Sequence, residues 1–196
     1  MIIDFDVDFN EYNEKVLNFY GFWDYSCPSC NAKNSFIRHA IYNRNICVLD
    51  IDTFSEHNFL VLRLYCKSCK TTHAILPAGT VPYGFYSFSC IMYVLSQYYI
   101  DKYSSMKISK KLEISTQMVY LFILKYLLEL VSCISFLRAY LSLYIEKDPK
   151  PGFVLSIINK TFTEVGFQKN YFINTKQIFL MTRRRNILSR ALWVGT

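Results

Sequence analysis

Apolar positions change their period along this chain, and the changes divide it into segments. Residues 1–25 mix acidic and aromatic side chains (Phe5, Phe9, Tyr12, Phe19, Tyr20, Phe22, Trp23) with no clean period. A short helix is predicted around 10–20, the rest packing as an arm. Residues 26–76 turn to β-branched and aromatic runs, IRHAIYNRNICVLDI and NFLVLRLY. In the second run Leu60, Leu62 and Leu64 fall on one strand face and Phe59, Val61, Arg63 and Tyr65 on the other. Pro77, Gly79, Pro82 and Gly84 punctuate a loop. Beyond it the period becomes helical, predicting helices near 87–102, 105–112 and 116–146. The stretch EKDPKPG at 146–152 stops the last of these, because proline is excluded from helix interiors. Further helices are expected near 153–164 and from about 175 to the end.

The expected fold class is therefore α+β. An acidic aromatic arm (1–25) leads into a small β-hairpin module (26–76), a helical region (77–146) and a basic helical C-terminal region (147–196). No internal repeat of solenoid period is present.

The oily stretch 118–145 is long enough to raise the question of a membrane. Lys125, Glu129, Ser132, Ser135, Arg138, Ser142 and Glu146 interrupt it at steps of three and four, a single polar stripe along a helix. Three charges in mid-span argue against a bilayer, so we read a long helix buried on most sides and expect no membrane partner.

Composition excludes disorder: 52% of residues are apolar and 17% aromatic, too much to leave unburied. Net charge is +7, but unevenly spread: −5 over residues 1–25, +3 over 26–80, +2 over 81–146 and +7 over 147–196. A basic balance is compatible with nucleic acid or an anionic surface.

Seven cysteines are an odd number for a disulfide framework, and the opening MIIDFDVDFNEY is not a basic-then-apolar leader. A reducing cytoplasm is the expected compartment, where paired Cys-x-x-Cys units read as metal ligands. Cys27-Pro28-Ser29-Cys30 and Cys66-Lys67-Ser68-Cys69 stand 35 residues apart, with strand-forming sequence between them. A hairpin would bring the second knuckle beside the first, giving four thiolates for one tetrahedral Zn²⁺, a zinc ribbon. A closed four-cysteine shell leaves no open position, so the expected ion is structural. His73 and His39 are the alternative ligands, and iron the alternative metal. Cys47, Cys90 and Cys133 lie in apolar surroundings and read as small core residues.

Residues 105–123 have the layout of a helix-turn-helix. Ile108 and Leu112 are one turn apart, Ile114 lies in the turn, Ser115 is an N-cap, and Val119 and Ile123 are one turn apart on the second helix. On that reading Thr116, Gln117 and Tyr120 face a DNA groove, and Lys107, Lys110, Lys111 and Lys125 contact phosphates. Glu113 stands where such turns usually carry glycine, and Leu121 and Leu124 fall on the presumed reading face. The competing reading is a plain helical hairpin. Arg183, Arg184 and Arg185 head an amphipathic basic tail suited to a phosphate backbone, to an acidic partner such as the chain's own head, or to a solvated helix end.

A zinc ribbon followed directly by a helix-turn-helix resembles the N-terminal DNA-binding region of insertion-sequence transposases. Residues 26–90 more closely resemble a small family encoded beside transposases in Gram-positive bacteria. The resemblance is carried by CPSC at 27–30, the Arg38-His39-Ala40 to Arg44 stretch, LRLYCKSCKTTHAILP at 62–77, and Val81-Pro82-Tyr83 with Tyr86-Ser87. That family often has glycine at the places of Ala40 and Lys70. The resemblance implies mobile-element DNA as the partner and Arg38, Arg44 and Arg63 as phosphate contacts.

No phosphate-cradling glycine loop, Gly-x-Ser-x-Gly or His-Glu-x-x-His occurs, and no set of acidic residues forms a recognisable nuclease motif. The expectation is a non-enzymatic, nucleoid-associated DNA-binding accessory or regulatory protein of a mobile element, able to form oligomers. An adaptor that docks a transposase or recombinase is the alternative, and a small catalytic or toxin-like protein the third.

Overall fold

The computed structural model describes residues 1–7, 9–18, 25–142 and 144–181. Ten elements follow one another: β1 (Ile2–Asp4), α1 (Phe9–Asn18), β2 (Phe36–Asp50), β3 (Thr53–Cys66), β4 (Thr72–Pro77), α2 (Phe88–Tyr99), α3 (Ser105–Leu112), α4 (Thr116–Leu141), α5 (Pro151–Thr161) and α6 (Glu164–Thr175). The class is α+β, with a mixed four-stranded sheet in the order β1-β4-β3-β2.

The long β2–β3 hairpin pairs antiparallel from Phe36↔Cys66 out to Asp50↔Thr53, so Cys66 returns beside the strand that starts just past the first knuckle. Its register slips between Arg38 and Ala40, a bulge. β4 adds antiparallel to β3, and β1 adds parallel to β4 with Ile2 opposite Ile75.

The first 25 residues are therefore more than an arm. β1 is a full strand, and Tyr12 of α1 is buried with its hydroxyl donating to Ile75 O at 2.6 Å. Asp4, also buried, accepts from Lys15 Nζ at 2.7 Å and from the Tyr25 hydroxyl at 2.5 Å, which offsets the cost of removing a carboxylate from water.

A second core lies among the helices, where Phe88, Phe122, Tyr126, Phe136, Phe167, Tyr171 and Phe179 are buried together. The halves meet through Cys47, whose N–H donates to Phe85 O and whose carbonyl accepts from Ser87 N, both at 2.8 Å. Cys90 is buried against the same carbonyl and Cys133 within the helical core, as expected of small core residues. Lys169 Nζ pairs with Asp6 at 2.7 Å, so part of the acidic head does meet the basic C-terminal region.

Two expectations change. The C-terminal pattern yields α5 and α6, and α6 ends at Thr175 with Lys176 left-handed (φ 57), so residues 176–181 do not begin a helix, and the rest of the helix expected from about 175 lies outside the described residues. Residues 178–180 instead bury Ile178, Phe179 and Leu180. The polar stripe of α4 also does not mark its solvent face. Glu129 is buried and accepts from the Tyr171 hydroxyl at 3.2 Å, while Leu121, Leu124, Leu127, Leu128 and Val131 are exposed. The reason is that the α2–α6 core supplies polar partners, so the helix turned its polar residues partly inward. Among the described residues α4 is the one helix long and apolar enough to cross a membrane, and 44% of its most apolar window is buried in the protein.

Candidate metal centre and basic surfaces

The two knuckles are the same turn built twice. After Cys27 the chain closes with Asn31 N–H donating to Cys27 O and Cys27 N–H to Ala32 O. After Cys66 it closes with Lys70 N–H to Cys66 O and Cys66 N–H to Thr71 O. The fifth residue of each turn is left-handed, Asn31 at φ 58 and Lys70 at φ 60. That φ costs a side-chain-bearing residue about 1–2 kcal/mol. The amides of residues two and three positions on point at the first sulfur of each knuckle, Ser29 and Cys30 at Cys27, Ser68 and Cys69 at Cys66. Amides converging on a sulfur stabilise a thiolate.

The four Sγ atoms lie within 4.8 Å of one another. Cys27 to Cys69 is 3.5 Å and Cys30 to Cys66 is 3.7 Å. A tetrahedral centre with metal–sulfur bonds of about 2.3 Å needs sulfurs roughly 3.8 Å apart, so the donor set fits one ion. The electrostatics are uneven. Burial pushes the Cys27 thiol up to about 12. Cys69 is held down to about 6, first by the hydrogen bond from the Thr71 hydroxyl, at 2.9 Å. His73 stands outside the four-sulfur cluster. Its Nε2 lies 3.5 Å from Cys27 Sγ and 2.9 Å from Thr71 Oγ1, and burial lowers it to about 4. It is thus a neutral hydrogen-bonding neighbour on β4, and His39 is exposed on β2.

The arginines implied by the resemblance do not form one surface. Arg38 stands opposite Leu64 and Arg63 opposite Ala40, so they project from opposite sheet faces. Arg44 shares the face of Arg63 but is half-buried, its guanidinium donating to Gly84 O and Val81 O, and so pins the loop after β4. That engagement leaves less of its guanidinium open to a phosphate. On α3, Lys110 is exposed, Lys107 Nζ lies 3.5 Å over the Tyr103 ring, and Lys111 Nζ sits 2.7 Å from the Tyr93 hydroxyl. At the start of α4, Gln117 is exposed, Thr116 is half-buried with its hydroxyl 3.4 Å from Ser109 Oγ, and the Tyr120 hydroxyl accepts from Ser105 at 3.0 Å. Lys125 is half-buried, and burial lowers its pKa, which disfavours it as a phosphate contact. Arg183, Arg184 and Arg185 lie outside the described residues.

Thr71 escaped the sequence reading as a partner of the cysteines; His73, weighed there as an alternative ligand, is instead a hydrogen-bonding neighbour, and it stands on β4 (Thr72–Pro77) and not in a loop.

Residues 27–114 match the model of a family described as a domain of unknown function, DUF6431. The match starts on the first knuckle cysteine and ends at Ile114, in the turn between α3 and α4. No curated protein and no solved structure matches the chain.

Proposed function

We propose that this chain is a zinc-dependent, non-enzymatic DNA-binding accessory or regulatory protein of a mobile element, in which a Cys₄ zinc ribbon braces a helix-turn-helix formed by α3 and α4. The zinc reading is supported by four sulfurs within 4.8 Å of one another, a donor set typical of structural zinc. The mobile-element context rests on the resemblance of residues 26–90. Double-stranded DNA is the partner, with a transposase or recombinase as the protein it serves, in the cytoplasm.

The observation that carries the reading is the α3–α4 junction. Ile108, Leu112, Ile114, Val119 and Ile123 are buried in one cluster. Glu113 turns the chain in the left-handed region (φ 55, ψ 34), and the Ser115 hydroxyl caps α4 by accepting from Met118 N. Lys107, Lys110 and Gln117 stay at the surface beside that turn. Anisotropy titration of labelled duplexes tests it: affinity should fall steeply with salt, and Lys107→Glu with Lys110→Glu should weaken binding about tenfold or more and flatten the salt slope by about 2. Absence of salt-dependent binding to any duplex, element ends included, overturns it.

A second reading, the adaptor, is favoured by the apolar face of α4, where Leu124, Leu128 and Val131 are 53%, 73% and 76% exposed. Leu121 and Leu124 share the face of Gln117, so a protein docked there would displace a groove. Co-purification with a transposase by a chain that ignores DNA selects this reading.

A further inference from the structure

Between the β2–β3 face and the loop that follows β4 lies an open concavity of about 540 Å³, within the size range of small-ligand sites. Its described lining includes Tyr42, Arg44, Arg63, Thr72, Tyr83 and Phe85, and no lining residue is acidic. Tyr42, Tyr83 and Phe85 are 40%, 48% and 43% exposed, three half-open rings around one concavity, with Phe85 resting edge-on against Tyr86 at 5.1 Å. Arg63 is exposed with its guanidinium 5.5 Å over the Tyr42 ring, a cation held at the rim by an aromatic face.

Tyr83 adds an independent sign. Its φ is +62, a left-handed conformation that is unusual for a bulky side chain. Arg44 fixes the loop in that state through the Val81 and Gly84 carbonyls, and the Tyr83 ring stays half exposed instead of sinking into either core. Strain of this kind clusters at ligand-binding positions, and here it holds a ring at the edge of the concavity.

Rings of this kind stack on the π-face of a base, and an arginine at their edge takes the attached phosphate, the chemistry of single-strand recognition. A base pair inside a duplex presents only its edge and cannot enter. We propose that this concavity binds an unpaired nucleotide of a DNA strand, its base against Tyr42, Tyr83 and Phe85 and its phosphate at Arg63. The inference rests on the nucleic-acid reading above and narrows it: the α3–α4 surface holds duplex while the sheet holds a frayed or overhanging strand beside it.

The test uses the full chain and three labelled probes: a blunt duplex, the same duplex with a short single-stranded overhang, and a thymidine oligonucleotide. The overhang should tighten binding about tenfold, since stacking of one base contributes about 1–3 kcal/mol. Tyr83→Gly should erase that gain and weaken thymidine-oligonucleotide binding. Because glycine accepts positive φ, the melting temperature of this variant should hold or rise, which separates lost binding from lost fold. Equal affinity for blunt and overhanging duplexes overturns the pocket and leaves the duplex reading standing. Binding of the thymidine oligonucleotide that Tyr83→Gly abolishes, without any duplex affinity, supports the pocket and overturns the duplex reading. Failure to bind all three overturns both.

Discussion

The two halves of the molecule solve the same problem by different means. Among the helices, rings do the work: Phe167 alone lies 5.0–6.3 Å from Phe88, Phe136, Phe162, Tyr171 and Phe179. The sheet half has its own buried cluster near β1 and β4, but its knuckle end has little apolar mass to offer. There residues 29–31, 33–34 and 37–40 are exposed, as are 67–68 and 70–72, and what lies buried between them is chiefly Cys27, Phe36, Cys66 and His73. A helical core of this density is stable through burial; the end of a hairpin is not, and four converging sulfurs that could hold a metal ion stand where a cross-link is missing. The lesson is that metal dependence here should be regional.

Metal removal gives the largest effect and tests that division directly. Cys66→Ser, or exhaustive chelation, should cost the sheet half on the order of 5 kcal/mol or more, given the size of structural metal binding energies. Amide exchange should accelerate through residues 26–76 while the helical signal in circular dichroism persists. The pH dependence has a defined sign. In the metal-free site Cys27 sits at about 12 and is protonated at pH 7, whereas Cys69 at about 6 is ionised. Cys30 is raised as well, so binding at pH 7 releases protons from Cys27 and Cys30, and affinity should climb as pH rises, which calorimetry in buffers of different ionisation enthalpy reads out. A protein that keeps its melting temperature with no metal by mass spectrometry breaks the comparison outright.

The converse change sharpens it. Phe167→Ala removes a fully buried ring from the centre of the helical cluster and should cost about 3–5 kcal/mol. Metal stoichiometry by mass spectrometry should stay unchanged, because no knuckle residue belongs to that cluster. Loss of metal alongside loss of the ring would mean that the halves fold as one unit through Cys47 and the Gln168 contacts with Gly79 and Thr80.

What could be read from the sequence follows the same line between local and distant causes. The knuckles, α3 and the start of α4 were legible because caps, spacing and turn chemistry act within a few residues: α3 runs Ser105–Leu112, and α4 starts at Thr116, as the pattern predicts. β1 was not legible. Three residues, Ile2–Asp4, carry no period, and they become a strand only because β4 lies alongside. The face of α4 was misjudged for a related reason. A polar stripe marks solvent only if the neighbouring helices are apolar, and here Tyr171 waits for Glu129. The hold of Arg44 on the loop carbonyls was not legible either, because it joins residues 37 to 40 positions apart.

The smallest predicted effect falls inside the helical half, on the turn between α3 and α4. Glu113 is left-handed at the C-terminal cap of α3, where any residue with a Cβ is strained. Its carboxylate also sits at the negative end of the helix dipole, which favours cations. Absence of glycine from this turn is thus a local cost that the buried Ile108, Leu112 and Ile114 override. Glu113→Gly should raise stability by about 1 kcal/mol in chemical denaturation. It should do so equally in the presence and absence of chelator, since the gain belongs to the helical side. An unchanged or lowered midpoint would mean that the Glu113 side chain makes a stabilising contact worth more than the strain, and a gain seen only with metal bound would place this turn under the control of the ribbon.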